Sequence, residues 1–147
     1  MKNLWTIICS KSVVDSTSNQ LSLFDCIDEI TVNFSNAEDI KKPIKNIPIN
    51  FEIVSLWLNE NISLVRKLDF VIEIIDPEGK TLKVIEKEAI FEKNKKRLRT
   101  IMKISGLSIT TEGKYLFRVK YKEADNDFII ATETPVDIRF LFNIKNK

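Results

Sequence analysis

Glu123, Asp125 and Asp127 set three carboxylates at alternate positions across a polar stretch between two strand-like runs. Hard oxygen donors gathered between sandwich loops can hold calcium, which makes these three the candidate metal ligands. A calcium-dependent carbohydrate binder or a carboxylate-based hydrolase would draw on them. The spacing departs from an EF-hand loop, lacking its Gly and its final Glu, and the competing reading is a solvated Asp-Asn-Asp turn. No two acids stand out as a hydrolytic pair in an aromatic cleft.

The chain contains no histidine. That removes the usual general base, the usual metal ligand and every Ser-His or Cys-His dyad. Cys9 and Cys26 would stand as nucleophiles without an imidazole, and no Ser-x-x-Lys supplies the serine alternative. Gly79, Gly106 and Gly113 are isolated, so no phosphate-cradling loop can be assembled. Two cysteines so far apart reproduce no closed zinc spacing. The reading is a chain that is not an enzyme and carries no cofactor.

The cysteines sit in apolar strand sequence and read as buried core thiols of a reducing compartment. If Asn3 to Ser10 pairs with Gln20 to Ile27, Cys9 falls opposite about Leu21 and Cys26 lies about five positions away, roughly 16 Å at the strand rise. That spacing forbids a disulfide.

Lys93, Lys95, Lys96, Arg97 and Arg99 form the densest basic cluster. A basic hairpin can grip phosphates by charge alone. Here Glu86, Glu88 and Glu92 lie on the preceding strand, where cross-strand pairing would neutralise the field, and no aromatic is interleaved to stack a base. The expectation is a solvated hairpin whose lysines block stray strand pairing, with no nucleic acid bound.

The elements that carry these groups are β-strands. Tyr115, Phe117, Val119 and Tyr121 alternate with Lys114, Leu116, Arg118, Lys120 and Lys122, which gives one apolar and one largely basic face at period two. The same pattern recurs at Ile30 to Phe34, Leu68 to Ile75 and Val136 to Phe142. Asp76-Pro77-Glu78-Gly79 carries the residues a type I turn prefers and predicts a hairpin. Ser35-Asn36-Ala37-Glu38 has capping-box spacing and predicts a single helical turn before Pro43, inside a crossover between sheets. A second crossover spans Ser105 to Glu112. Tyr115 just beyond it has the place of the corner tyrosine of Greek-key sandwiches.

One strand is apolar on both faces. Between Ile47 and Leu58, the set Ile49, Phe51, Ile53 and Trp57 alternates with Val54, Leu56 and Leu58. Either a loop of the same chain covers the second set or another chain does. Val54, Leu56 and Leu58 are therefore the candidate interface for a homodimer or a protein partner.

At 147 residues, 44% of them hydrophobic and 30% charged, the chain can bury a core of its own, so residues 1–147 are expected to form one domain. The formal net charge of +2 is too near balance to imply a polyanionic partner. The apolar stretch Leu4 to Cys9 is shorter than a signal-peptide core, and Ile8 is too bulky to precede a lipidated cysteine. No apolar run is long enough for a membrane helix, and the expectation is a cytoplasmic protein.

The strand Leu4-Trp5-Thr6-Ile7-Ile8-Cys9, the polar loop through Asp15 and Asn19, the strand Leu21-Ser22-Leu23-Phe24-Asp25 and the later Gly113-Lys114-Tyr115 resemble a small bacterial family catalogued only as a domain of unknown function. The likeness runs over most of the chain through hydrophobic and structural motifs. It implies a compact β-sandwich in a bacterial or prophage setting and brings no activity or site. Taken together, the expectation is an all-β, two-sheet antiparallel sandwich, immunoglobulin-like or Greek-key, of roughly nine or ten strands and at most one short helix. Its expected role is a non-catalytic protein-interaction or structural module.

Overall fold

Period-two alternation decides which side chains meet. In the computed structural model, which describes residues 1–123 and 126–142, nine strands and one helical turn follow in the order β1 (Lys2–Val14), β2 (Leu21–Cys26), β3 (Glu29–Phe34), α1 (Ala37–Lys41), β4 (Lys45–Leu58), β5 (Arg66–Ile75), β6 (Thr81–Phe91), β7 (Arg97–Ile109), β8 (Gly113–Glu123) and β9 (Ile129–Phe142). They form a four-stranded sheet ordered β2-β1-β4-β7 and a five-stranded sheet ordered β3-β9-β8-β5-β6. This is an all-β sandwich. Among the described residues no helix is long and apolar enough to cross a membrane.

The four-stranded sheet is antiparallel throughout. The five-stranded sheet is mixed, because β3 runs parallel to β9 from Glu29 opposite Asp137 to Phe34 opposite Phe142. Alternation in a sequence carries no information about strand direction, so the expectation of purely antiparallel pairing gave way at the pair most distant in the chain. With β9, β8, β5 and β6 adjacent in one sheet and β4 beside β7 in the other, the order follows the G-F-C-C′ and B-E arrangement of immunoglobulin-like sandwiches.

The core lies where the inner faces meet. Phe51, Ile53 and Trp57 of β4 are fully buried against Phe117 and Val119 of β8 and Ile72 and Ile74 of β5. The ring of Phe51 meets that of Phe117 edge-on at 5.8 Å, and Trp57 meets Tyr121 edge-on at 5.4 Å. The Trp57 Nε1 donates to Thr100 Oγ1 at 3.1 Å, so the indole brings no unpaired polar group into the interior. Truncating such an aromatic to Ala costs about 3–5 kcal/mol.

Both crossovers form, but each is shorter than the sequence indicates, because β4 already begins at Lys45 and β7 runs on to Ile109. Residues 37–41 make the helical turn, capped by Asn36, whose Oδ1 accepts from Glu38 N at 3.0 Å. The Asp76 carbonyl accepts from Gly79 N at 3.0 Å, and its Oδ1 accepts from Glu78 N and Lys80 N at 3.0 and 2.8 Å. Gly79 takes φ +87°, which a side chain would strain. At the second crossover the Tyr115 hydroxyl accepts from Thr110 N at 2.9 Å and Thr111 N at 3.2 Å and donates to Thr111 O at 2.7 Å. Thr110 Oγ1 reaches on to Asp76 Oδ2 at 3.0 Å, and the buried Lys45 ammonium donates to Thr110 O at 2.8 Å. Thr110, held by the Tyr115 hydroxyl, thus connects the β7–β8 crossover to the β5–β6 turn and to the start of β4.

Replacing Tyr115 by Phe keeps the ring but strips the part-buried amides of Thr110 and Thr111 of their acceptor. We expect a loss of about 2 kcal/mol, read as a lower urea midpoint at unchanged m value. An unshifted midpoint would mean that the corner is not held by the hydroxyl.

Candidate functional site

The outward faces of the two sheets differ in chemical kind. On the five-stranded sheet, Glu73 accepts from Lys120 at 2.6 Å and lies 3.5 Å from Arg118, Arg118 pairs with Glu133 at 2.6 Å, and Lys67 pairs with Glu88 at 2.8 Å. Opposite charges on neighbouring strands make a face suited to water. On the four-stranded sheet the outward positions of β1 are Trp5, Ile7 and Cys9, and those of β4 opposite them are Leu56, Val54 and Glu52. Ile101 of β7 continues the row beside Val54. The outer face of this sheet is apolar at its centre.

Part of that face is covered by the chain's own hairpin. β1 pairs with β4 only as far as Cys9 opposite Glu52, while its remaining residues continue as an arm with β2. The arm arches across β4. Ser12 donates its amide to the Glu52 carboxylate at 2.7 Å and its hydroxyl to the same oxygen, and Lys103 stands 3.9 Å from the other oxygen. At the far end the Arg99 guanidinium of β7 donates to Asn19 O at 2.7 Å and to Asn19 Oδ1 at 3.2 Å. The tip is closed by Asp15, whose Oδ1 accepts from Thr17 N at 2.9 Å and from Ser18 N and Oγ at 2.6 and 2.9 Å. Asn19 takes φ +55°, a conformation Asn tolerates.

Between arm and sheet lies a cleft of about 810 Å³. Trp5, Leu56 and Ile101 line it from the sheet and Val14, Leu21 and Leu23 from the arm. Its charged lining is Lys95, Arg97 and Arg99 against the single carboxylate of Glu92. Among the described residues, Lys95 and Arg97 take part in no ion pair. Volume and lining are those of a ligand pocket, mostly apolar with a few charged groups. The chemistry available there is burial of apolar surface beside a positive field.

The candidate residues from the sequence divide. Val54, Leu56 and Leu58 share the outer face as expected, but Val54 is 0% exposed between its cross-strand neighbours Ile7 and Ile101. Leu56 opens into the cleft, and Leu58 is half-buried beyond it. Glu123 engages cations on both oxygens, Oε1 with the Met1 amine and Oε2 with Arg66 Nη1, each at 2.8 Å. Asp125 lies outside the described residues, and among the described residues no three His, Cys, Asp or Glu side chains cluster as metal ligands would.

Two expectations need correction. The basic cluster is not a hairpin with the acidic strand before it, because β6 belongs to the five-stranded sheet and β7 to the four-stranded one. Glu86 and Glu88 therefore face β5, where Glu88 pairs with Lys67, and leave the cluster's field standing. The cysteines are not five positions out of register but directly opposite, Cys9 against Cys26. The hairpin closes at Asp15 and Gln20 rather than nearer Ser10, and the longer first strand slides the register. Cys9 is buried as expected, whereas Cys26 is exposed.

Sequence reasoning passed over Trp5, Ile101, Leu21 and Leu23. The apolar run Leu4 to Cys9, interrupted only by Thr6, is the signal that would have found the first, since it marks β1 as largely apolar on both faces, as β4 is. The other three are ordinary alternating positions until the arm folds back.

Replacing Glu52 by Ala should release the arm, with amide protection at Ser12 falling about tenfold or more while that of Ile53 is kept, as hydrogen exchange would read. Equal loss at both sites would mean that Glu52 holds the sheet and not the arm. The amide and hydroxyl of Ser18, and then the amide of Thr17, hold the Asp15 carboxyl below its ordinary value of 3.8. A carboxyl so lowered stabilises the tip above its ordinary pKa and ceases to do so as pH falls through the lowered one. An NMR titration of Asp15 should therefore give a midpoint below 3.8, and a midpoint at or above it would show an open tip. No protein-family model and no curated protein matches this chain, so the cleft's role rests on its geometry.

Proposed function

We propose that the chain is a non-catalytic interaction module that receives an apolar, acidic segment of a protein partner in the cleft between its hairpin arm and the outer face of the four-stranded sheet. The observation that carries this reading is the contrast between the two outer faces. One is neutralised by its own ion pairs, and the other offers Trp5, Leu56 and Ile101 beside cations that no described carboxylate pairs. Apolar contact would supply affinity, and the positive field would select acidic over basic segments and speed encounter. The lack of any histidine in the sequence supports binding rather than turnover. The bacterial or prophage setting follows from the resemblance of the sequence.

An aromatic sulfonate, 8-anilinonaphthalene-1-sulfonate, is a suitable probe because it joins an apolar ring system to an anion. The folded chain should bind it with enhanced fluorescence. Leu56→Asn and Arg97→Glu should each weaken that binding about tenfold with near-UV circular dichroism unchanged. Binding indifferent to both substitutions would overturn the reading, as would light scattering that shows a dimer whose dissociation is required before the probe binds.

A further inference from the structure

We infer that Cys9 and Cys26, set directly opposite each other where the hairpin arm leaves the four-stranded sheet, are a thiol pair that an external disulfide converts to an intramolecular disulfide stapling the arm at its root. The inference is independent of what occupies the cleft. It rests on register, exposure and position.

Ile27 N donates to Ile8 O at 2.8 Å, so the ladder bond flanks the cysteine pair rather than joining it. Opposite residues in that non-hydrogen-bonded position have Cα atoms about 4.5 Å apart and their side chains on the same face. That falls within the range a disulfide spans, about 4.4–6.8 Å. Both thiols are free in the structure.

The two differ in access. Cys26 is exposed on the edge strand β2, while Cys9 is 0% exposed in the body of the sheet. Burial, and after it the Glu52 carboxylate and Cys26, push the Cys9 thiol up, so Cys9 is the poorer first nucleophile. The order of events follows. The Cys26 thiolate attacks one sulfur of a low-molecular-weight disulfide such as glutathione disulfide, forming a mixed disulfide and releasing one glutathione thiolate. Cys9, giving up its proton, then attacks the Cys26 sulfur, forms the Cys9–Cys26 bond and expels the second glutathione thiolate. Two protein thiols are oxidised and one external disulfide is reduced to two thiols, the protons given up by Cys9 and Cys26 passing to the two expelled glutathione thiolates.

The position gives the bond a consequence. β1 is held by β4 up to Cys9, and beyond it the arm depends on Glu52 and Arg99. A covalent link at the last shared residue would restrict the angle at which the arm leaves the sheet, and with it the width of the cleft.

The test uses the full chain, reduced and then incubated with glutathione disulfide. We expect monomers that lose both thiols and two hydrogens of mass, with a melting temperature raised by about 5–10 °C and restored by dithiothreitol. Cys26→Ser should block the reaction and leave Cys9 unreactive until the chain unfolds. Cys9→Ser should stop at the glutathione adduct on Cys26. A stable glutathione adduct on the unsubstituted chain, a disulfide-linked dimer, or retention of both thiols would each overturn the inference. The aromatic sulfonate assay of the reduced chain is unaffected by these outcomes, so this inference and the reading of the cleft fail separately.

Discussion

A strand with apolar side chains on both faces has to be covered twice. β4 is that strand, with Phe51, Ile53 and Trp57 inward and Val54 and Leu56 outward. The inward set is met by the five-stranded sheet and yields a closed core. In the outward set Val54 is flanked by Ile7 and Ile101 and Leu56 faces the two-stranded arm, and a two-stranded unit needs further contacts to be stable in water. The contacts that hold it are polar, at Glu52 and Arg99, and the space between them stays open as the cleft. Incomplete coverage of one strand is thus the origin of the candidate site.

The corner around Tyr115 ties the two sheets together at one end of the sandwich. A crossover between sheets leaves backbone groups without ladder partners; here the Tyr115 hydroxyl accepts from the Thr110 and Thr111 amides, Lys45 donates to the Thr110 carbonyl, and Asp76 accepts from the Thr110 hydroxyl. Gly113, with φ +132°, lets Pro77 approach to 3.0 Å of where a β-carbon would stand. These polar contacts join β4, the β5–β6 turn and the β7–β8 crossover at one end of the sandwich, while β7, paired with β4 along its length, carries Arg97 and Arg99 to the cleft at the other.

Charge follows the same division. Where strands alternate signs across a sheet, the pairs neutralise one another and the face is inert, as around Glu73, Arg118 and Lys120. The basic residues after β6 escape this because their acidic neighbours in sequence enter the other sheet. A positive field beside an apolar cleft results from strand assignment and not from net charge, which is only +2.

Much of the architecture was written in the sequence. Alternation at Tyr115 to Tyr121, the Asp76–Gly79 turn, the helical turn after Asn36, the corner tyrosine and the double-faced β4 are properties of short segments, set by side-chain period and local backbone bonding. The opposition of Cys9 and Cys26, the parallel pairing of β3 with β9, the separation of β6 from β7 and the fold-back of the arm were decided only by tertiary structure. Each depends on where a turn closes or which distant edge a strand meets. A shift of register or a change of partner leaves the alternating pattern unchanged, so long-range packing alone selects among them.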